Sequence, residues 1–222
     1  MSETARKHRL WPAAIGFAAL FIVALFADRP VAVWVRDSGL GATVKATWWA
    51  EVVKEPGEFR LACAVAVSLV VLRVLDWRQG VFIGLAGVMG IINDLLKWIV
   101  GRHRPFTFRL EHIDEAIPWN VIPFRTGVPL GKLTSNLSFA SGHATASFAT
   151  ATALAILLPR WRWLFYGLAM LTALERVAEN AHWASDVVAG AALSWFGVHG
   201  LWWLAQRSAL GPVGSGERGE TA

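Results

Sequence analysis

Long apolar runs constrain this chain more than any other feature of its sequence. Hydrophobic residues make up 55% of the 222 positions and charged residues 17%, against roughly 45–50% and about 25% in soluble proteins. The apolar residues are concentrated in runs long enough to cross a bilayer, where a backbone must satisfy its own hydrogen bonds. The sequence therefore predicts an all-α integral-membrane bundle of six transmembrane helices. The predicted spans are residues 10–27, 59–75, 80–100, 140–158, 163–177 and 185–206.

The bundle is predicted to be a single domain, residues 1–210, followed by a polar tail, 211–222, whose composition is typical of disorder. The first apolar run also fits a cleavable signal peptide, because a basic lead precedes it. Residues 28–58 carry Trp34, Trp48 and Trp49 among charges. This pattern fits a segment lying at the lipid headgroups, and it fits an ordinary packed loop equally well.

The positive charge of the chain predicts its orientation. The net charge is +5, but no block of lysines and arginines lies on a polar face, so no nucleic-acid partner is expected. Basic residues in the short loops favour one side, which predicts that this side and both termini are cytoplasmic. They are Arg6, Lys7, Arg9, Arg73, Arg78, Arg160, Arg162 and Arg207. The polar ends of spans three to six then lie on the outer, periplasmic or extracytoplasmic face.

Several cations stand at the ends of predicted spans. Lys97, Arg104 and Arg176 are interpreted as functional, because ionisable groups at membrane depth usually are. Arg102 and Arg207 are interpreted as side chains that merely reach from a span end to the interface. Lys97 follows Asp94 by three residues on a helix, so a structural ion pair is the alternative to a functional role.

Two shorter patterns carry groups suited to phosphate chemistry. Ser141-Gly142-His143 begins a span, and the free N–H groups of a helix start suit a phosphate oxygen, although Ser-Gly is also ordinary capping sequence. His182 and Asp186 are four residues apart. On a helix, the carboxylate would fix the imidazole tautomer and leave the other nitrogen free to attack, although an acidic residue at a helix start is also a good cap.

These patterns occur together and in order along the chain. Residues 97–105 fit K-x6-R-P, residues 141–143 fit S-G-H, and residues 176–186 fit R-x5-H-x3-D. The set closely resembles the three-part signature of the type-2 phosphatidic acid phosphatase (PAP2) superfamily. Membrane members of that family are six-span lipid phosphatases, and the same site occurs in soluble acid phosphatases and vanadium haloperoxidases.

The resemblance implies a role for each matched residue. His182 corresponds to the nucleophile that forms a phosphohistidine, Asp186 to its orienting partner, and His143 to the general acid. The phosphoryl oxygens are expected to be held by Lys97, Arg104, Ser141, the Gly142 amide and Arg176. No cofactor and no metal ion are expected, because three cations can offset the charge of a transferring phosphoryl group.

Two positions depart from the family pattern. Ala140 stands where the family usually has proline, which removes a residue that would stiffen the helix start. Glu175 stands where the family usually has serine, before Arg176, and either pairs with that arginine or points elsewhere. Together with Glu179 it adds negative charge close to a phosphate site.

The expected function is hydrolysis of a lipid phosphomonoester or diphosphate at the outer membrane face. Candidate substrates are undecaprenyl diphosphate, phosphatidate, phosphatidylglycerol phosphate and a lipid A phosphate, and the oligomeric state is left open. The connection 106–139, with Arg109, Arg125 and Lys132, is expected either to read the headgroup or to carry only solvated charges. The competing hypothesis is a non-catalytic lipid-phosphate binding or transport protein. A haloperoxidase fits poorly, because those proteins are soluble.

Overall fold

The computed structural model describes residues 3–107 and 137–207, and this part of the chain is helical. A single isolated bridge, between His103 and Leu137, joins the two described segments. The helices are α1 (Glu3–Asp37), α2 (Leu40–Lys45), α3 (Trp48–Lys54), α4 (Phe59–Val71), α5 (Trp77–Ala86), α6 (Val88–Val100), α7 (Gly142–Leu157), α8 (Arg162–Ala178) and α9 (Ala184–Arg207). Short 3-10 turns occupy Glu55–Gly57, Pro105–Thr107 and Pro159–Trp161. The all-α prediction is confirmed for the described residues, and most of 106–139 and the tail lie outside them.

Three helical stretches are long and apolar enough to cross a membrane: Leu10–Asp37, Trp77–Val100 and Ala184–Arg207. They contain the first, third and sixth predicted spans. The other predicted spans correspond to shorter helices, and α4 has only 13 residues. Because a helix rises about 1.5 Å per residue, α4 is about 20 Å long, less than the roughly 30 Å of a hydrocarbon core. Membrane-spanning helices are therefore present, and the total of six stays a prediction.

The first helix is longer than predicted. The sequence predicts an end at residue 27, but α1 continues to Asp37 and includes Pro30. The charge of Asp28 does not end the helix, because its side chain is only 2% exposed and is paired inside the protein. Helix α1 packs along α9, and the alternative of a cleaved signal peptide stays a prediction.

The region 28–58 is helical instead of a loop. It holds the last turns of α1, then α2 and α3, and its tryptophans face outward, with Trp48 79% exposed and Trp34 61% exposed. Outward-facing tryptophans fit a position at the lipid headgroups, which stays a prediction.

Helix α7 is the centre of the bundle and packs against α5, α6, α8 and α9. Small residues on its buried face, Ala149 and Ala153, let these neighbours approach closely. The apolar core around them includes Phe82, Ile83 and Val198. This core fixes the relative positions of the helix ends that carry the three sequence motifs.

Candidate active site

The start of α7 is fixed against the start of α9. The backbone N–H of Ser141 donates to the carbonyl of Asp186 at 3.1 Å, and Ser141 Oγ caps α7 by accepting from the N–H of Ala144 at 3.5 Å. Gly190 permits this approach, because a Cβ there would lie 2.9 Å from the Ser141 carbonyl oxygen and 2.8 Å from Thr145 Oγ1. The second and third motifs therefore share a direct backbone contact.

Lys97 brings the first motif to the same place. Its Nζ donates to Asp94 Oδ1 at 3.0 Å, so the structural ion pair considered from the sequence is present. The same Nζ would lie 3.2 Å from a Cβ at position 142, which places it over the first turn of α7. The buried amide of Asn93 lies close by, and its Nδ2 has no hydrogen-bond partner among the described residues. Lysine, amide and helix N–H groups together favour an anionic oxygen here.

His182 lies between α8 and α9, so it does not share a helix with Asp186, the condition under which the sequence argument put both on one face. Its Nδ1 is 2.9 Å from the carbonyl oxygen of Ser138 and 3.6 Å from Asp186 Oδ2. A carbonyl only accepts hydrogen bonds, so Nδ1 carries the proton and Nε2 carries the lone pair. Burial lowers the pKa of His182, while Asp186 opposes that shift. The imidazole is therefore neutral near pH 7, with Nε2 available to attack.

Ser138 is itself held by the segment that follows α6. Its N–H donates to the carbonyl of Arg102 at 2.7 Å, and its hydroxyl donates to the carbonyl of His103 at 3.0 Å. The carbonyl that orients His182 is consequently anchored to the first motif. Nothing in the sequence marked Ser138, because its contribution is a backbone oxygen.

Arg102 lies inside a buried ion-pair network, and its interpretation as an interfacial side chain is wrong. Its Nη1 donates to Asp186 Oδ1 at 2.6 Å, and its Nη2 donates to Asp28 Oδ2 at 2.7 Å. Asp28 also accepts from the N–H of Ser185 at 2.8 Å and from its hydroxyl at 2.5 Å. The guanidinium stacks over the Trp183 ring, 4.9 Å from its centroid. Two buried carboxylates on different helices keep this arginine inside the protein.

Glu175, which stands where the family usually has serine, pairs with Arg176. Its two oxygens accept from Arg176 Nε at 2.6 Å and Nη2 at 2.7 Å. Glu179 accepts from the same Nη2 at 2.6 Å and lies 3.9 Å from Lys54 Nζ. Two carboxylates therefore occupy Arg176. An anionic ligand must compete with them.

Arg104 lies near Arg176, and both side chains line one cavity. Burial, with the neighbouring charge of Arg176, lowers the pKa of Arg104. Two close guanidinium groups repel each other unless an anion lies between or beside them. This pair is therefore a suitable place for a phosphoryl group.

His143 faces the turn that precedes α4. Its Nε2 lies 3.2 Å from Glu58 Oε1, a contact that the sequence did not indicate. The side chain is 30% exposed, and it lies within electrostatic reach of Arg176 and His182. A partly exposed imidazole beside a carboxylate can hold a proton and deliver it.

The structure thus brings all eight predicted site residues to the neighbouring ends of α6 to α9 and the segments between them. It adds Asp28, Asn93, Arg102, Ser138 and Ser185. Two of these had a signal in the sequence: Asp28 is a carboxylate at the end of an apolar run, and Arg102 is a cation at a span end. Among residues 3–107 and 137–207, no three His, Cys, Asp or Glu side chains are grouped as a metal ion would require.

A model of the PAP2 superfamily matches residues 78–209, more than half of the chain. This chain belongs to the PAP2 superfamily. The PAP2 match begins inside α5 and leaves out α1 to α4.

Two curated relatives are similar over the same length. Lipid A 1-phosphatase of Rhizobium etli is 35% identical over 108 residues, 48% of this chain and 42% of the relative. Lipid A 1-phosphatase of Rhizobium johnstonii is 35% identical over 108 residues, 48% of this chain and 40% of the relative. The matched stretch is therefore about two fifths of the length of these relatives. The crystal structure of a transmembrane PAP2 type phosphatidylglycerolphosphate phosphatase from Bacillus subtilis aligns with a TM-score of 0.47 and 20% identity, covering 82% of this chain and 95% of that one.

Proposed function

We propose that this chain is an integral-membrane phosphatase that hydrolyses the phosphate ester or anhydride of a lipid headgroup through a phosphohistidine at His182. The observation that carries the proposal is the environment of that imidazole. Its Nδ1–H is committed to the Ser138 carbonyl at 2.9 Å, so the lone pair is on Nε2. A nucleophilic histidine requires this tautomer.

The first step forms a bond between Nε2 of His182 and phosphorus and breaks the bond from phosphorus to the lipid oxygen. The leaving oxygen takes its proton from His143, whose Nε2 lies 3.2 Å from Glu58 Oε1. Asp186 supports the positive charge that develops on His182. In the second step water attacks phosphorus and gives a proton to His143, and the P–N bond breaks. Inorganic phosphate is released, and neutral His182 and protonated His143 are restored.

The negative oxygens of the transferring group are held by the surrounding donors. They are Lys97, the N–H groups at the start of α7 with Ser141 and Gly142, and the guanidinium groups of Arg104 and Arg176. Such preorganised positive charge supplies most of the catalysis in phosphoryl transfer. Arg176 exchanges its carboxylate partners for the phosphoryl oxygens when the substrate binds.

Among the candidate lipids, a lipid A phosphate is placed first. Two relatives named lipid A 1-phosphatase share 35% identity with this chain over 108 residues. Undecaprenyl diphosphate, phosphatidate and phosphatidylglycerol phosphate are the other candidate substrates. The site is proposed to face the periplasmic or extracytoplasmic side, as the distribution of basic loop residues predicts.

The competing function is binding of a lipid phosphate without hydrolysis, and the carboxylates on Arg176 are the observation that favours it. Phosphate release from the four lipids, with wild type, His182→Ala and His143→Asn, separates the two. The catalytic proposal expects metal-independent release by wild type in the presence of a chelator. It expects a loss of more than about 1,000-fold in His182→Ala, the scale seen for lost nucleophiles, and a loss of roughly 100-fold or more in His143→Asn. If wild type and His182→Ala release phosphate equally, or neither releases any, the chain is not this enzyme.

A further inference from the structure

A cavity of about 500 Å³ opens beside the proposed phosphate cradle. Arg104 and Arg176 line part of it. The rest of the wall includes the end of α1 and α2, through Val35, Arg36, Gly39, Gly41, Ala42 and Lys45. The volume lies within the roughly 300–1,000 Å³ of pockets that bind small molecules, and one phosphoryl group fills only a fraction of it. The cavity therefore has room for a headgroup beyond the scissile phosphate.

The lining of this cavity is strongly cationic. Arg36, Lys45, Arg104 and Arg176 are the basic residues that line it, and Glu179 is the acidic one. Glu179 is already paired with Arg176 at 2.6 Å. The Nε of Arg36 lies 3.3 Å from Asp37 Oδ1. The Nη2 of the same guanidinium has no hydrogen-bond partner among the described residues. Arg36 and Lys45 thus add positive charge that the proposed phosphate chemistry does not use.

The wall that carries Arg36 and Lys45 is packed onto the end of α8. Gly41 allows the contact, because a Cβ there would lie 3.3 Å from the carbonyl oxygen of Glu179. The amide of Asn180 also donates to the carbonyl of Ala32 on α1, at 3.4 Å. The added cations are therefore held in a defined position relative to Arg176 and Glu179.

We propose that this cavity is a headgroup subsite in which Arg36 and Lys45 bind a second anionic group of the substrate, a phosphate or a carboxylate. The proposal rests on the proposed function, because it places the scissile phosphate at Arg104 and Arg176. The subsite favours lipids with two anionic groups in the headgroup over lipids with a lone phosphate. Arg36 and Lys45 precede residues 78–209, which match the family. The proposed preference therefore depends on residues outside that match.

The test compares Arg36→Gln/Lys45→Gln with a matched control, Arg160→Gln/Arg162→Gln, which removes two exposed arginines, one in the turn before α8 and one at its first residue. Phosphate release is measured on phosphatidate, which has a lone phosphate, and on phosphatidylglycerol phosphate with the same acyl chains, which has a second anion. The subsite variant should lose about 10- to 100-fold in kcat/KM on the two-anion lipid, mainly through KM, as expected for lost hydrogen bonds to a charged group. It should change less than about threefold on phosphatidate, and the control should change neither.

A binding measurement separates the subsite from catalysis. Dihexanoyl forms of the same two lipids are titrated into His182→Ala protein in detergent, with and without the Arg36→Gln/Lys45→Gln pair, and heats of binding are recorded. Weaker binding of the two-anion lipid alone supports the subsite even if wild type hydrolyses neither lipid, a result that would overturn only the proposed function. Equal losses on both lipids, or no loss on either in both measurements, would overturn the subsite.

Discussion

Replacing Asp28 by asparagine is expected to damage the site from a helix that contributes none of the three motifs. Asp28 is buried. Its carboxylate accepts a hydrogen bond from Arg102 Nη2 at 2.7 Å and two more from the N–H and the hydroxyl of Ser185. Asparagine has nearly the same shape, so the change removes charge and leaves packing intact. Arg102 would then keep a single carboxylate partner, Asp186, at 2.6 Å.

The size of the effect follows from the burial of the pair. Removing one partner of a buried ion pair costs roughly 3–5 kcal/mol. The lower end, about 3 kcal/mol, applies here, because asparagine still offers an acceptor and Arg102 keeps Asp186 and Ser185. For a chain of 222 residues this corresponds to a decrease in Tm of roughly 6–12 °C. Asp37→Asn on the same helix is the control, because that exposed pair contributes at most about 1 kcal/mol.

The same substitution should change the pH dependence of catalysis. Removing the negative charge of Asp28 leaves more of the Arg102 charge unbalanced beside Asp186 and His182. An added positive potential lowers the pKa of an imidazole, and burial has already lowered the pKa of His182. The proposed mechanism requires neutral His182, so activity should be lost as the pH falls through that pKa, and the acid limb of kcat/KM should move to lower pH. The maximal kcat should also decrease, because Asp186 is less able to support the developing imidazolium.

The assay is a kcat/KM profile between about pH 4 and pH 9 for wild type, Asp28→Asn and Asp37→Asn, with thermal unfolding of each in the same detergent. A purely structural role for Asp28 would lower the Tm and leave the acid limb in place. An unchanged Tm together with an unchanged profile would refute the reasoning altogether. Arg102→Met combined with Asp28→Asn adds a double-mutant cycle, in which the pair should lose less stability than the sum of the single changes.

Three further outcomes are expected. Gly190→Ala should lose roughly 1–3 kcal/mol of stability, measured by thermal unfolding, and most phosphate release, because its methyl group would push the start of α7 from α9; Gly200→Ala, which meets no atom within 4 Å, should behave as wild type. Glu175→Ser should lower the KM for a lipid phosphate, since a carboxylate about 5 Å from a phosphate repels it by roughly 3 kcal/mol at an effective dielectric of 20; a raised KM would show that this glutamate positions the site. A reporter fused after Gly211 should be cytoplasmic and one in 106–139 external, and the reverse would overturn the orientation.

Much of the candidate site was predictable because motif residues carry their chemistry in their identity. Lys97, Ser141, Gly142 and His182 could be selected from residue type and spacing, and the structure brings them together. The third motif also pointed to Asp186 as the group that orients the imidazole, whereas Nδ1 of His182 lies 3.6 Å from that carboxylate and closer to a backbone oxygen. The carbonyl of Ser138 supplies the 2.9 Å contact to Nδ1. Every residue has a backbone carbonyl, so residue type does not indicate which one makes this contact.

The network around Arg102 could not be predicted for a different reason. The sequence pattern of a cation at a span end is the same whether the side chain extends to water or pairs with a buried carboxylate. The deciding partner, Asp28, is 74 positions away, and only tertiary packing brings it close. The same pairing explains the extent of α1, since a neutralised charge no longer marks where a helix must end.

The pairing of Asp28 also bears on how the chain is assembled during synthesis. Asp28 is made 74 residues before Arg102 and 157 residues before Ser185. Until both partners arrive, its carboxylate lacks the groups that offset its burial. The network of Asp28, Arg102, Ser185 and Asp186 is therefore completed only when α9 has been made and has packed beside α1.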